Sequence, residues 1–126
     1  MDTHSQPGIE ALYATGHWLH GHGRHADAAS VFRVMMSAAT NDERAWLALG
    51  ACHEGIQQLE IALELYSAGR VVATPGVRCE LARSRVLQAL GRTEEADEAL
   101  EAATERAETA DDDELRALVV AERRAS

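Results

Sequence analysis

Trp46-Leu47-Ala48-Leu49-Gly50-Ala51-Cys52-His53 decides the fold, because its chemistry recurs at a fixed distance. Gly50 has a counterpart 34 residues earlier in Gly16, and Trp46 falls 34 residues after Leu12. Ala28, Ala62 and Ala96 form a column at that spacing, and Phe32, Tyr66 and Leu100 form another. Leu19, His53 and Leu87 make a less uniform column, while Gly23 and Gly91 lie 68 apart with Gln57 midway. A 34-residue period marks tetratricopeptide repeats, in which each unit is a helix, a tight turn and a second helix.

The column types have a physical reading. The small residue at positions 16 and 50 lets the two helices of a unit approach closely. The alanine near the start of the second helix does the same from the other side, and the large apolar residue four positions later fills the gap between units. One helix pair cannot bury its apolar face alone, so neighbouring units must stack. The expected fold is all-α: a single domain over 1–126 with three tandem repeats at about 9–42, 43–76 and 77–110, an α-solenoid closed by a capping helix at about 111–124. Leu115, Leu118 and Val119 give that last helix its apolar spacing.

Helices are predicted at about 7–22, 25–39, 42–55, 58–72, 75–90 and 93–108. Pro7 and Pro75 suit first helical positions, where a missing N–H costs nothing. Thr74 is then the expected N-cap of the fifth helix. Thr40-Asn41-Asp42-Glu43 and Asp111-Asp112-Asp113-Glu114 read as capping boxes. Gly23, Gly55 and Gly91 are expected to end the first helix of each pair.

Composition agrees with close-packed helices. The chain has 126 residues and is rich in alanine, and Tyr13, Trp18, Phe32, Trp46 and Tyr66 are its aromatics. Strands favour aromatic and β-branched residues. Every basic residue is arginine, and the formal charge is −9. Nucleic-acid backbones and anionic membranes both call for a basic surface, so neither is an expected partner. The acid is uneven: eleven carboxylates and only Arg106 lie between Glu94 and Glu114. That stretch reads as a solvated face that keeps the chain soluble. The opening residues lack the basic-then-apolar pattern of a secretion signal, and no apolar run is long enough to cross a bilayer. A cytoplasmic protein with reduced thiols is expected, with Cys52 and Cys79 as small core residues.

In such a stack the first helices line a concave groove, with repeat positions 2, 5, 9 and 12 pointing into it. Taking Ile9, Glu43 and Val77 as position 1, these are Glu10, Arg44 and Arg78; Tyr13, Leu47 and Leu81; His17, Ala51 and Arg85; His20, Glu54 and Gln88. The expected floor is Tyr13, Leu47, Ala51 and Leu81, with positive charge from Arg44, Arg78 and Arg85 along one flank. An apolar floor with a polar rim suits an extended or helical peptide with apolar anchors.

The sequence resembles the class II chaperones of type III secretion systems, the SycD/LcrH type. The resemblance is carried by Ala11-Leu12-Tyr13-Ala14-Thr15-Gly16, Gly23-Arg24 and Ala28-Ala29-Ser30-Val31-Phe32. It continues through Trp46 to His53 and Ala62-Leu63-Glu64-Leu65-Tyr66-Ser67-Ala68, and extends over 9 to about 108. It implies a cytoplasmic three-repeat chaperone whose groove clamps a short segment of a hydrophobic secreted client, a translocator or another export substrate. The implied anchor residues are Tyr13, Leu47 and Leu81. Thr40 and Thr74 stand where such repeats end in proline. Monomer and homodimer remain open, as do two alternatives: a general protein–protein scaffold, or a co-chaperone of a needle or export component.

Other features support less. His17, His20, His22 and His25 cluster, and imidazole is a common metal ligand. No carboxylate or cysteine completes a tetrahedral set at ordinary spacing, so no metal or cofactor is expected. A pH-sensitive groove edge is the better functional use of these histidines. Cys52-His53 suggests a thiol nucleophile, but position 52 is a core position, and a buried thiol without a cationic neighbour is inert. No phosphate loop, carboxylate pair or Ser-His-Asp set can be assembled, so no catalysis is expected.

Overall fold

The structure, a computed structural model, describes residues 7–125; the leader reading at residues 1–6 lies outside them. Seven helices and no strand occur among the described residues: α1 (Pro7–Gly21), α2 (His25–Ala38), α3 (Glu43–Gly55), α4 (Leu59–Val72), α5 (Val77–Ala89), α6 (Thr93–Ala110) and α7 (Asp113–Ala125). The chain is an all-α tetratricopeptide solenoid with a C-terminal capping helix. Within each pair, α1 packs on α2, α3 on α4 and α5 on α6. Each new first helix then packs on both helices before it, and α7 continues the pattern on α6 and α5.

The columns are the contacts. Gly16 faces the Phe32 ring, and a Cβ there would sit 2.5 Å from Phe32 Cε1. Gly50 faces Tyr66 in the same way. Phe32 and Tyr66 are almost wholly buried, as are Ala28, Ala62 and Ala96. At the corresponding place in α5 stands Ser84, whose buried Oγ donates to the Ala96 carbonyl at 2.9 Å.

Turn chemistry also repeats. Gly23, Gln57 and Gly91 all adopt the left-handed region, with φ of 76°, 63° and 75°. The Gly23, Gln57 and Gly91 N–H groups donate to His20, Glu54 and Gln88 carbonyls at 3.0 Å. The next N–H in each turn reaches Leu19, His53 or Leu87. The left-handed cap of α3 is therefore Gln57 rather than Gly55, which remains helical.

Three expected caps are displaced. α3 is capped by Asp42, whose side chain accepts from the Arg44 N–H at 3.1 Å; Thr40 instead donates to the Met36 carbonyl. α5 starts two residues later than predicted, after Gly76 in the left-handed region, so Thr74 and Pro75 precede the helix. α7 is capped by Asp112, which accepts from the Leu115 N–H at 3.0 Å, while Asp111 takes the left-handed position ending α6.

One core feature has no counterpart in the sequence reading. Glu80 is fully buried in α5. Its carboxylate accepts from Arg70 at 3.0 Å and Arg83 at 3.1 Å, with Arg106 Nε at 3.6 Å. Arg106 also donates to the Pro75 carbonyl at 3.0 Å and to the Arg70 carbonyl. A buried charge is tolerable only when paired and hydrogen-bonded, and three guanidiniums meet that need.

Candidate functional site

Two adjoining clefts run along the first helices. One, of ≈ 510 Å³, is lined by Tyr13 of α1, Asp42 beside α3, Glu43, Arg44, Leu47 and Ala48 of α3, and Arg78 of α5. The other, of ≈ 370 Å³, is lined by Leu47, by Arg78, Leu81 and Arg85 of α5, and by Leu118, Ala121, Glu122 and Ala125 of α7. Leu47 and Arg78 belong to both, so together the clefts form one groove across four helices. A larger cleft of ≈ 730 Å³ lies between the ends of α4 and α6. Its guanidiniums, those of Arg70 and Arg106, bond Glu80 and backbone carbonyls, while Arg70 Nε is buried without a hydrogen-bond partner among the described residues.

The first cleft has a half-buried Tyr13 ring with the Arg44 guanidinium 4.7 Å from its centroid. Cation–π contact of this kind holds both groups in place. Arg44 is fixed further by Glu10 at 3.0 Å and Asp42 at 2.8 Å. The Asp42 and Glu10 carboxylates raise the Arg44 pKa, and the Arg44 hydrogen bond lowers that of Asp42. Along α5, Arg78 pairs with Glu114 at 2.8 Å and Arg85 with Glu122 at 2.6 Å. The expected positive flank is thus neutralised: each groove arginine already has a carboxylate. What the groove offers is apolar surface inside a rim of satisfied charge.

Of the sequence-predicted residues, Tyr13, Arg44, Leu47, Arg78, Leu81 and Arg85 line the two clefts. Leu81 is only 4% exposed, beneath Leu115, Leu118 and Val119 of α7. Ala51 is half-buried in α3 and Gln88 is exposed; neither lines these clefts. Glu54 accepts a hydrogen bond from the buried Tyr66 hydroxyl, which burial and then Glu54 hold protonated well above the usual range. His17 leans on Tyr13, with ring centroids 5.8 Å apart.

His20 faces inward. Its Nδ1 lies 2.9 Å from His25 Nδ1 and 3.7 Å from Cys52 Sγ, so one of the two imidazoles must carry the shared proton. Burial first, and then His25 and His17, lower the His20 pKa. His22 donates to the Trp18 carbonyl at 2.7 Å and stacks on its ring. Among the described residues no three His, Cys, Asp or Glu side chains are placed to hold a metal ion. Burial pushes the Cys52 thiol up to about 11 and, with Glu43, raises Cys79 too, so neither is thiolate at neutral pH.

Sequence reasoning missed the α7 side of the groove. The signal was present: Leu118, which packs beside Leu115 and Val119, is followed on α7 by Ala121 and Ala125, and these three line the second cleft.

No protein-family model matches the chain. Over 92 residues it is 29% identical to the low calcium response locus protein H of Yersinia pestis, covering 73% of this chain and 55% of that relative. The chain thus spans about half the length of the curated relatives it matches. Superposition on SycD, the type III secretion translocator chaperone of Yersinia enterocolitica, gives a TM-score of 0.82 at 27% identity, covering 93% of this chain and 86% of SycD. The chain is similar to the type III secretion chaperones in sequence and in fold. PcrH from Pseudomonas aeruginosa gives a TM-score of 0.79 at 27% identity, covering 96% of this chain and 92% of PcrH. SycD has been solved with a peptide of the translocator YopD, and PcrH with the chaperone binding regions of PopB and of PopD.

Proposed function

We propose that this chain is a cytoplasmic chaperone of a type III secretion system that holds an apolar segment of a translocator or other export client in the groove of its first helices, without catalysis. The observation that carries this reading is the open apolar cleft between Tyr13 and Leu47, set in a fold that matches SycD over nearly the whole chain. Neutralised arginines at the rim favour a client recognised by apolar side chains rather than by acid. Covering an aggregation-prone segment lowers its exposed population by mass action. No helix among the described residues is long and apolar enough to cross a membrane, which agrees with a chaperone that works before export.

The test is a titration of fluorescently tagged peptides from YopD, PopB and PopD against the purified protein, read by anisotropy. At least one should bind the wild type. Leu47→Glu should abolish that binding while far-UV circular dichroism and melting temperature stay near wild type. Tyr13→Ala, which alters only the first cleft, should weaken it about tenfold, the equivalent of roughly 1.4 kcal/mol. Binding unchanged in both variants would move the site off the concave face.

A further inference from the structure

We propose that His20 and His25 form a proton-sensitive joint between the first and second helix pairs: one shared proton ties α1, α2 and α3 together, and full protonation of both rings drives them apart. Three helices meet there. His20 lies in the last turn of α1, and His25 is the first residue of α2. Their Nδ1 atoms are 2.9 Å apart, and Cys52 Sγ of α3 is 3.7 Å from His20 Nδ1. The His25 ring also rests on the α3 backbone, where a Cβ at Gly55 would sit 2.8 Å from ring atoms Cε1 and Nδ1. The later joints are built from other chemistry. At the 34-residue spacing Glu54 and Leu59 stand in place of the two histidines, and then Gln88 and Thr93. Neither histidine lines the two clefts of the groove, so the inference holds whatever the groove binds.

A neutral imidazole has one donor and one acceptor nitrogen, whereas an imidazolium has two donors. The bond between the two Nδ1 atoms therefore survives with both rings neutral or with one charged. With both charged, two N–H groups point at each other and like charges face across the same gap. The neighbouring charges among the described residues do not offset this. On α1, His17 adds repulsion and His22 is turned to the Trp18 carbonyl. On α2, Asp27 is paired with Arg24 at 2.7 Å, Arg33 is itself positive, and the positive end of the helix dipole falls at His25. On α3, burial holds the Cys52 thiol neutral, Glu54 is engaged by the Tyr66 hydroxyl, and His53 bonds Gln58 at 2.7 Å. The lowered His20 pKa, from burial and then from His25 and His17, runs in the same direction. The folded protein thus takes up fewer protons than the unfolded chain. Stability is full above the ordinary histidine pKa of about 6.5 and falls as pH drops below it, by up to about tenfold in the folding equilibrium per pH unit for each proton refused. Tyr13 lies on α1 and Leu47 on α3, so loosening the joint parts the two sides of the first cleft.

The experiment compares the full chain with two variants, each of which leaves one titrating ring at the joint. His25→Leu installs the residue type that the second joint carries as Leu59. His20→Gln offers an amide oxygen that accepts from His25 whether that ring is neutral or charged. Urea unfolding is measured at about pH 7.5 and about pH 5, and amide hydrogen exchange gives protection factors for each helix at both. Between the two pH values the wild-type folding equilibrium should fall about tenfold more than that of either variant. Wild-type protection should be lost from α1 and α2 while α5 and α6 keep theirs. Where a variant fails to fold, the other variant and the wild-type exchange pattern still decide. Parallel pH dependence in wild type and variants would overturn the proposal, and so would an acid loss of protection spread evenly over all the helices.

Discussion

The second and third helix pairs share a period yet solve the same packing problem with opposite chemistry. Where α3 carries Trp46, α5 carries Glu80, 34 residues on. The indole stays partly exposed, closes over Gly69 and donates its N–H to the Thr40 carbonyl at 2.7 Å. The carboxylate is sealed from water and gathers arginines from α4, α5 and α6. A repeat column therefore specifies that a gap must be filled and bridged, and leaves open whether dispersion or charge fills it. The difference has a consequence for robustness. An apolar filler degrades gradually as atoms are removed, whereas a buried ion cluster fails at once when its only anion is lost.

The largest expected effect follows from that contrast. Glu80→Gln keeps the shape but removes the charge that three guanidiniums share. Breaking a buried ion pair from one side costs about 3–5 kcal/mol. The arginines are each partly exposed, so the lower end, about 3 kcal/mol, is expected by urea unfolding. Trp46→Leu, which installs the residue that α1 carries as Leu12, should cost only about 1–2 kcal/mol. Equal losses in the two variants would erase the proposed distinction between the pairs.

The next column sharpens the comparison from the small side. Gly50 exists because the Tyr66 ring occupies the place of its Cβ. Gly50→Ala forces that ring or its helix to move, at the upper end of the about 1–3 kcal/mol that overpacking costs, and after the roughly 1 kcal/mol gained in helix propensity a net loss of about 2 kcal/mol is expected. In the third pair Leu100 replaces the ring, a side chain fits, and Ser84 uses it to bond the Ala96 carbonyl. Ser84→Ala should cost about 1 kcal/mol, the net worth of one hydrogen bond. Calorimetric melting of both variants checks the order; a Gly50→Ala protein as stable as wild type would show that the ring contact is not close.

These columns also show what was legible beforehand. The period placed every helix within two residues at each end, because glycine, alanine and ring columns report contacts made within and between adjacent pairs. Caps were less legible. Thr40, Asp42, Asp111 and Asp112 are all competent acceptors, and only the backbone geometry selects Asp42 and Asp112. Glu80 was invisible because its partners lie on three helices with no common spacing. The arginine rim was misjudged for a related reason: Arg78 and Arg85 are answered by Glu114 and Glu122 from α7, across a connection whose length departs from the repeat. The groove positions Tyr13, Leu47 and Leu81 were nominated by period alone, and the period could not reveal that α7 would lie over Leu81.

The smallest effect concerns the turn that joins the two helices of each pair. Gly23, Gln57 and Gly91 hold the same left-handed conformation and make the same hydrogen bonds to residues three positions back. Glycine enters that region freely, whereas an L side chain pays about 1–2 kcal/mol there. The second pair therefore carries strain that the first and third avoid. Gln57 is exposed, so Gln57→Gly removes little contact. Against the relief stands the greater entropy of glycine in the unfolded chain, about 0.5–1 kcal/mol. The balance is a stabilisation of about 0.5 kcal/mol. Gly91→Gln, the reciprocal exchange, should destabilise by a similar amount. Paired thermal melts at one pH read both signs. Losses in both variants would mean that the Gln57 side chain contributes to the turn, and that the two turns differ in more than the residue at their apex.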